Sequence, residues 1–358
     1  MKELVARNGR LKFGLVYFHR FWRILPLYMF VMFGYWALMR YLGDGPIWWN
    51  ITSKTEECSS YWWTYPTFLN TIVPNGRGNF CVGWGWYLAN DMQFFLITPP
   101  ILFLYFKSSR LVGHITCIVM IFVHMIGTWL AVYHNDVKVV CLDNTEEWFA
   151  WYYVKPYCRI APYAIGLFSG MIIYSYRRFE ETGEVFDPIA LKVGKFIVDN
   201  RKWRYIGMVV GLFCINLCLF IQYTAYKDVH NGFNNWTLTE TAWFLAFDRI
   251  IFTTGLVLVL LPCCLGKFKI LQEILSASAW APLARLCYAV FLIHLVIITT
   301  MFNNVQIAIY WDAYNIYLDF ITVTVISFVL AVPVCLMMES PTMALEKVMF
   351  ARRPAPAK

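Results

Sequence analysis

Two arginines are the first residues in this sequence that can do chemistry. Arg20 and Arg23 lie in YFHRFWRILPLY (residues 17–28), where a basic amino-terminal segment passes into the first long apolar run. If a helix has begun there, residues three apart share one face at the membrane surface. Two interpretations remain open: a positive-inside anchor at the cytoplasmic end of a span, or guanidinium forks that bind the phosphates of an anionic cofactor.

A histidine is the second candidate. His294 lies near the middle of the apolar stretch LARLCYAVFLIHLVIIT (residues 283–299). A neutral imidazole is tolerated there if each ring nitrogen has a partner, so the position fits a core histidine or a proton-transferring base. The sequence contains no HExxH, no Cys-x-x-Cys pair and no Gly-rich phosphate loop, so we predict no metal site.

The elements that position these residues are membrane helices. The 358 residues are 59% hydrophobic and 15% charged, against ~45–50% apolar residues in a soluble domain. We predict an all-α polytopic bundle of about eight transmembrane helices, residues 24–338, between a cytoplasmic basic segment (1–23) and a cytoplasmic tail (339–358). The apolar runs lie near 24–42, 86–106, 111–134, 160–176, 204–226, 241–265, 283–303 and 315–338.

Charge predicts the topology. The net charge of +8 comes from Lys and Arg clusters between apolar runs, which favours an anionic membrane surface as partner and not nucleic acid. Most of the 30 Lys and Arg residues fall on the side of residue 1, so we expect both termini to be cytoplasmic. The sequons at Asn50 and Asn235 fall on the opposite side and predict glycosylation. We expect the protein in the endoplasmic reticulum or the plasma membrane.

Cysteines and glycines predict local contacts. Four of the 11 cysteines, Cys58, Cys81, Cys141 and Cys158, lie in or beside the outer loops, and four allow three pairings. Cys58 and Cys81 flank the large aromatic loop before the second span, so we predict a disulfide between them. Gly207-x-x-x-Gly211 predicts close helix packing within the bundle.

Five motifs in order resemble the acyltransferase-3 family, and more narrowly its nose-resistant-to-fluoxetine branch. They are HRFWRILPLY (19–28), CVGWGWYLANDMQFFLITP (81–99), VKPYCRIAPYAIGLFSGMII (154–173), LARLCYAVFLIHLVI (283–297) and ESPTMALEK (339–347). The resemblance runs across nearly the whole chain. It implies a membrane O-acyltransferase that moves an acyl group from acyl-coenzyme A, a co-substrate and not a permanently bound cofactor, to a hydroxyl acceptor.

The resemblance also implies roles for single residues. The family's Arg-x-x-Arg falls on Arg20 and Arg23 as cofactor-binding residues, and its Lys-Pro-x-x-Arg run adds Arg159. Its histidine element falls on His294, the candidate catalytic residue, and its Glu-x-Pro element begins at Glu339.

One departure from the family pattern bears on activity. The family's first two helices, with the histidine regarded as the catalytic base, have no counterpart in this sequence. We therefore expect acyl-coenzyme A binding and turnover to separate. Two other functions remain open: a lipid or small-molecule transport or handling protein on the same scaffold, and a catalytically inactive binding partner.

Overall fold

The computed structural model describes residues 12–74, 80–140, 145–230, 236–306, 310 and 312–350, and every regular element among them is helical. This confirms the all-α prediction. The longer α-helices are α1 Phe13–Leu38, α2 Trp48–Tyr61, α3 Trp86–Lys107, α4 Arg110–His134, α5 Ile160–Thr182, α6 Pro188–Asp199, α7 Arg201–His230, α8 Leu238–Cys264, α9 Lys269–Leu275, α10 Trp280–Asn303, α11 Ala313–Val334 and α12 Ser340–Phe350.

Helices occupy all eight predicted span positions. Among the described residues, six stretches are long and apolar enough to cross a membrane: α1 with its 3-10 extension, α4, α7, α8, α10, and α11 continued through α12. The other two positions hold α3 and α5, of 22 and 23 residues, whose polar and charged residues lower their hydropathy. The bundle is polytopic, as predicted.

The first helix begins earlier than the predicted span. Its first residue is Phe13, whereas the apolar run was predicted from residue 24. The difference arises because hydropathy changes at the arginines, but nothing in FGLVYFHRFWR breaks a helix. Arg20 and Arg23 are therefore helical and share a face.

The chain divides into two compact units, one of which holds residues 90–277. In this unit α7 and α8 approach closely at Gly211 and Gly255. A Cβ on Gly211 would lie 2.6 Å from the Gly255 carbonyl oxygen, so only glycine permits the contact. This confirms close packing within the bundle for Gly211; Gly207 has only a Leu258 methyl group at 3.9 Å from its Cβ position.

A buried carboxylate joins three helices of the same unit. The Asp187 side chain caps α6, because its Oδ1 accepts from the backbone N–H groups of Ile189 and Ala190 at 2.9 and 3.1 Å. Its Oδ2 accepts from the Tyr105 hydroxyl at 2.5 Å and lies 2.8 Å from His114 Nε2. The segment between α5 and α6 is thereby held against α3 and α4.

The other unit holds residues 12–74, 80–89 and 278–350 of the described chain. The disulfide between Cys58 and Cys81 is present, which confirms that prediction. Cys158 is a buried free thiol, and Cys141 lies outside the described residues. Asn50 lies in α2 and Asn235 outside the described residues, so glycosylation stays a prediction.

Candidate active site

A cavity of about 680 Å³ lies between α1, α10, α12 and the segment that joins α11 to α12. We call it the cation cavity, because three of its lining residues are cations. Its walls are formed by Arg23, Ile24, Ala284, Arg285, Tyr288, Cys335, Glu339, Ser340, Met343 and Lys347.

The α1 wall contains the arginine that the sequence singled out. Arg23 is exposed and lines the cation cavity, whereas Arg20 is half-buried and does not line it. Pro26 lies one turn further along α1 and has no N–H, so the Trp22 carbonyl loses its helical donor.

The α10 wall is fixed to α1 by a hydrogen bond. The Tyr288 hydroxyl donates to the Ile24 carbonyl at 2.7 Å. Arg285 precedes Tyr288 by three residues and so extends from the same face of α10. The bond holds Arg285 and Arg23 on facing walls of one cavity.

The third wall begins with a π-helix. Pro333 lies in the last turn of α11, and the chain then widens into the π-helix Cys335–Glu339 before α12 begins at Ser340. Glu339 is buried, and its Oε2 accepts from Cys335 Sγ at 3.4 Å. Single π-turns inside helices often occur at functional sites.

The charges of the cation cavity do not balance. Arg23, Arg285 and Lys347 carry three positive charges at neutral pH against one carboxylate, Glu339. Guanidinium forks bind phosphate oxygens in pairs, and lysine adds a point charge. The chemistry of these walls fits a ligand with several negative charges.

His294 faces a different space. It lines an apolar groove of about 450 Å³ between α10 and α11. Its Nδ1 lies 2.7 Å from the Phe291 carbonyl oxygen and 3.2 Å from that of Val290. A carbonyl only accepts, so Nδ1 carries the proton in the neutral ring and Nε2 keeps a lone pair. At 3.6 residues per turn, His294 points about 120° away from Tyr288 around α10.

Arg159 lies in the unit of residues 90–277, in an aromatic environment. Its Nε donates to the Tyr153 carbonyl at 2.8 Å, and its guanidinium lies 4.3 Å from the centroid of the Tyr153 ring. Arg249 donates to the Cys158 carbonyl and lies 4.0 Å from the centroid of Tyr152. We call Lys155, Arg159 and Arg249 the aromatic cation cluster.

The pKa values of this cluster report desolvation. Burial lowers the pKa of Lys155, whose ammonium lies 5.3 Å from the centroid of Trp151. Burial, and then the positive charge of Arg249, lower the pKa of Arg159 to about 10. Cations in such surroundings are stable only where carbonyls and ring faces replace water.

Comparison with known proteins identifies the family. The model of the Acyltransferase domain that defines acyltransferase-3 proteins matches residues 4–339. The chain belongs to the acyltransferase-3 family. It is 25% identical over 291 residues to Nose resistant to fluoxetine protein 6 of Caenorhabditis elegans, a match that covers 78% of this chain and 33% of that protein. The chain thus spans about a third of the length of that relative. No solved structure matches it.

Four of the five acyltransferase-3 motifs contribute residues to one unit. HRFWRILPLY, LARLCYAVFLIHLVI and ESPTMALEK each line the cation cavity. From CVGWGWYLANDMQFFLITP, Trp84 Nε1 donates to the Leu292 carbonyl at 3.1 Å and Tyr87 packs on Phe291, with ring centroids 5.3 Å apart. These contacts support the histidine element of α10. The structure brings together motifs that are separated by more than 200 residues.

The cation cavity also contains residues that sequence reasoning missed. Arg285 and Lys347 were counted only as charges that orient the chain, although both lie inside the matched motifs, which was the available signal. The roles of Arg20, Arg23, Arg159 and His294 stay predictions. Among the described residues, no group of three His, Cys, Asp or Glu side chains is placed to bind a metal ion.

Proposed function

We propose that this acyltransferase-3 protein is a membrane O-acyltransferase. It takes an acyl group from acyl-coenzyme A, whose phosphates bind in the cation cavity, and transfers it to a hydroxyl acceptor. The observation that carries this proposal is the convergence of three family motifs on one cavity with excess positive charge. Arg20 adds a further positive charge on the same face of α1.

The cation cavity serves the reaction by orientation and charge. Arg23, Arg285 and Lys347 neutralise the phosphates, which fixes the direction in which the thioester extends. The hydroxyl oxygen then attacks the thioester carbon, a base takes the hydroxyl proton, and the carbon–sulfur bond breaks to give an ester and a free thiol. The resemblance implies His294 as a candidate for this base and its Nε2 can accept a proton, but His294 lines the apolar groove and not the cation cavity.

One observation favours a second function. The groove that His294 lines is mostly apolar, with Val290, Ile298 and Phe320 among its walls and Asp319 as a charged residue beside them. Such a groove suits a hydrocarbon chain, as in a lipid-handling protein on the same scaffold. In that function the groove holds the lipid and no thioester is cleaved.

Acetyl-coenzyme A binding to the purified full chain in lipid nanodiscs tests the proposal. Arg23→Gln should weaken binding by about tenfold or more, since one charge-assisted contact is lost. Arg23→Lys should fall between it and the wild type, because an ammonium cannot replace a fork. The matched control is Arg40→Gln, which removes an exposed arginine that does not line the cavity.

The outcomes separate the alternatives. Equal binding by all four proteins would return Arg23 to the role of a membrane anchor. Binding of a spin-labelled fatty acid in the His294 groove, without any binding of acetyl-coenzyme A, would favour the lipid-handling function.

A further inference from the structure

We propose that His19 and Glu346 form a catalytic dyad in which the His19 imidazole is the general base of acyl transfer. The Glu346 carboxylate, at Oε1, bonds to His19 Nδ1 across two helices. The inference rests on the proposed function of the cation cavity. The dyad places the base on α1, which supplies Arg23, and its carboxylate partner on α12, which supplies Lys347.

The helices α1 and α12 run antiparallel at this point. Trp22 Nε1 donates to the Thr342 carbonyl at 3.0 Å. The next contact along is that of His19 with Glu346, and beyond it the Phe18 and Phe350 rings lie 5.5 Å apart. Residue numbers fall along α1 as they rise along α12, so the two helices form one continuous seam.

This seam brings the dyad to the edge of the cation cavity. His19 precedes Arg23 by four residues, and side chains at that spacing are neighbours, about 5–6 Å apart at Cβ. On α12, Glu346 follows the cavity residue Met343 by three and is adjacent to Lys347. The charged groups beside the imidazole are therefore Glu346 and Lys347 of α12 and Arg20 and Arg23 of α1.

The carboxylate prepares the imidazole to act as a base. A carboxylate accepts, so Nδ1–H is the donor and Nε2 carries the lone pair. The Phe350 ring lies 5.0 Å from the imidazole and limits its rotation. The His19 side chain is 40% exposed, against 20% for Glu346, so the partner is more shielded and a substrate can reach the ring.

The step balances without a further reactant. As the acceptor oxygen attacks the thioester carbon, its proton moves to His19 Nε2. The carbon–sulfur bond breaks, and Nε2 returns the proton to the thiolate. The products are an ester and coenzyme A as a free thiol, and the dyad returns to its starting state.

The His19–Glu346 pair is expected to contribute little to the stability of the fold. A partly exposed ion pair typically contributes at most about 1 kcal/mol. The neighbouring Trp22 and Phe18 contacts already join α1 to α12. Trp22→Phe therefore supplies a matched structural control, because it removes one hydrogen bond of the same seam and no proton acceptor.

The experiment uses the full chain in phosphatidylcholine nanodiscs, with acetyl-coenzyme A as donor and octyl glucoside as hydroxyl acceptor. Thiol release and the acetylated glucoside are measured for the wild type, His19→Gln, Glu346→Gln and Trp22→Phe, together with acetyl-coenzyme A binding. His19→Gln should lower kcat by about 10²–10⁴-fold with the KM for acetyl-coenzyme A almost unchanged. Glu346→Gln should lower kcat by about tenfold, and Trp22→Phe should lower only the melting temperature.

A pH profile adds a readout that a structural role would not move. The wild-type rate should rise as the pH is raised, because only an unprotonated base can accept the hydroxyl proton, and His19→Gln should lose that rise. A His19→Gln protein with wild-type kcat, or with losses no larger than those of Trp22→Phe, would overturn the dyad. A wild type that does not bind acetyl-coenzyme A, or that binds it and releases no thiol, would overturn the proposed function and the dyad with it.

Discussion

Each unit of this protein contains a group of three cations, and the two groups have different partners. In the cation cavity, Arg23, Arg285 and Lys347 border an open volume with one carboxylate. In the aromatic cation cluster, guanidinium groups lie over tyrosine rings and donate to backbone carbonyls. The same side-chain type therefore borders an open volume in one place and packs against the chain in the other.

The difference lies in what a phosphate would displace. A ligand entering the cation cavity replaces water. A ligand approaching Arg159 or Arg249 would have to displace a carbonyl and a ring face from each. These contacts favour a structural role for Arg159. Its predicted role in cofactor binding is tested by the Arg159→Gln variant.

The largest expected effect is on the stability of the aromatic cation cluster. Arg249→Gln should lower the free energy of unfolding by about 2–4 kcal/mol, because it removes a charged hydrogen bond and a cation–π contact together. Arg285→Gln, at an exposed position, should cost less than about 1 kcal/mol. Chemical unfolding of both proteins in the same nanodiscs measures this; equal losses would remove the distinction between the two groups.

The second effect is on ligand binding, and here the cation cavity and not the aromatic cation cluster should be the sensitive group. Arg285→Gln and Lys347→Gln should each weaken acetyl-coenzyme A binding by about tenfold. Arg249→Gln and Arg159→Gln should leave it unchanged at temperatures where both proteins are folded. Calorimetric titration measures the affinities. Loss of binding in Arg159→Gln alone would restore that residue to the cofactor site.

Salt should separate the two groups by a smaller margin. The cavity cations are open to solvent, so raising the salt concentration from about 0.05 to 0.5 M should weaken acetyl-coenzyme A binding several-fold. The stability difference between wild type and Arg249→Gln should hardly change, since buried charges are poorly screened. Equal sensitivity would show that solvent reaches both groups alike.

The smallest expected effect is a pH dependence at Lys155. Burial lowers its pKa in the folded protein, so the unfolded chain binds the proton more tightly, and the stability contribution of this residue rises with pH up to the ordinary value of about 10.5. Lys155→Met should therefore be more stable than the wild type near neutral pH, by about 1 kcal/mol or less, and lose this advantage as the pH rises. Melting curves across that window measure it; a constant difference would contradict it.

The positions of the helices followed from the sequence, because a span must be a long apolar run whatever it packs against. The Cys58–Cys81 pair was predictable for a related reason, since both residues flank one loop. The composition of the cation cavity was not predictable in this way. Lys347 and Arg23 are more than 300 residues apart, and each resembles an ordinary charge at the end of a span until α1 and α12 are seen side by side.

The hydrogen-bond partners of the histidines could not be predicted from the sequence either. His294 attracted attention because it interrupts an apolar run, yet the backbone carbonyls of Val290 and Phe291 in the same helix satisfy its Nδ1. His19 lies among charged and aromatic residues where a histidine is unremarkable, and its carboxylate partner is 327 residues away. Sequence patterns locate an unusual residue more readily than an unusual contact.

The π-helix Cys335–Glu339 determines the direction in which the side chains of the following helix, α12, face. Glu339, Met343 and Lys347 recur every four residues and form one stripe that faces the cation cavity. Each residue advances a helix by about 100°, so the loss of one residue within the π-turn would rotate this stripe by roughly that angle. Lys347 would then turn out of the cavity although no side chain in it had been replaced. The length of this turn is thus as much a determinant of the site as the identity of its residues.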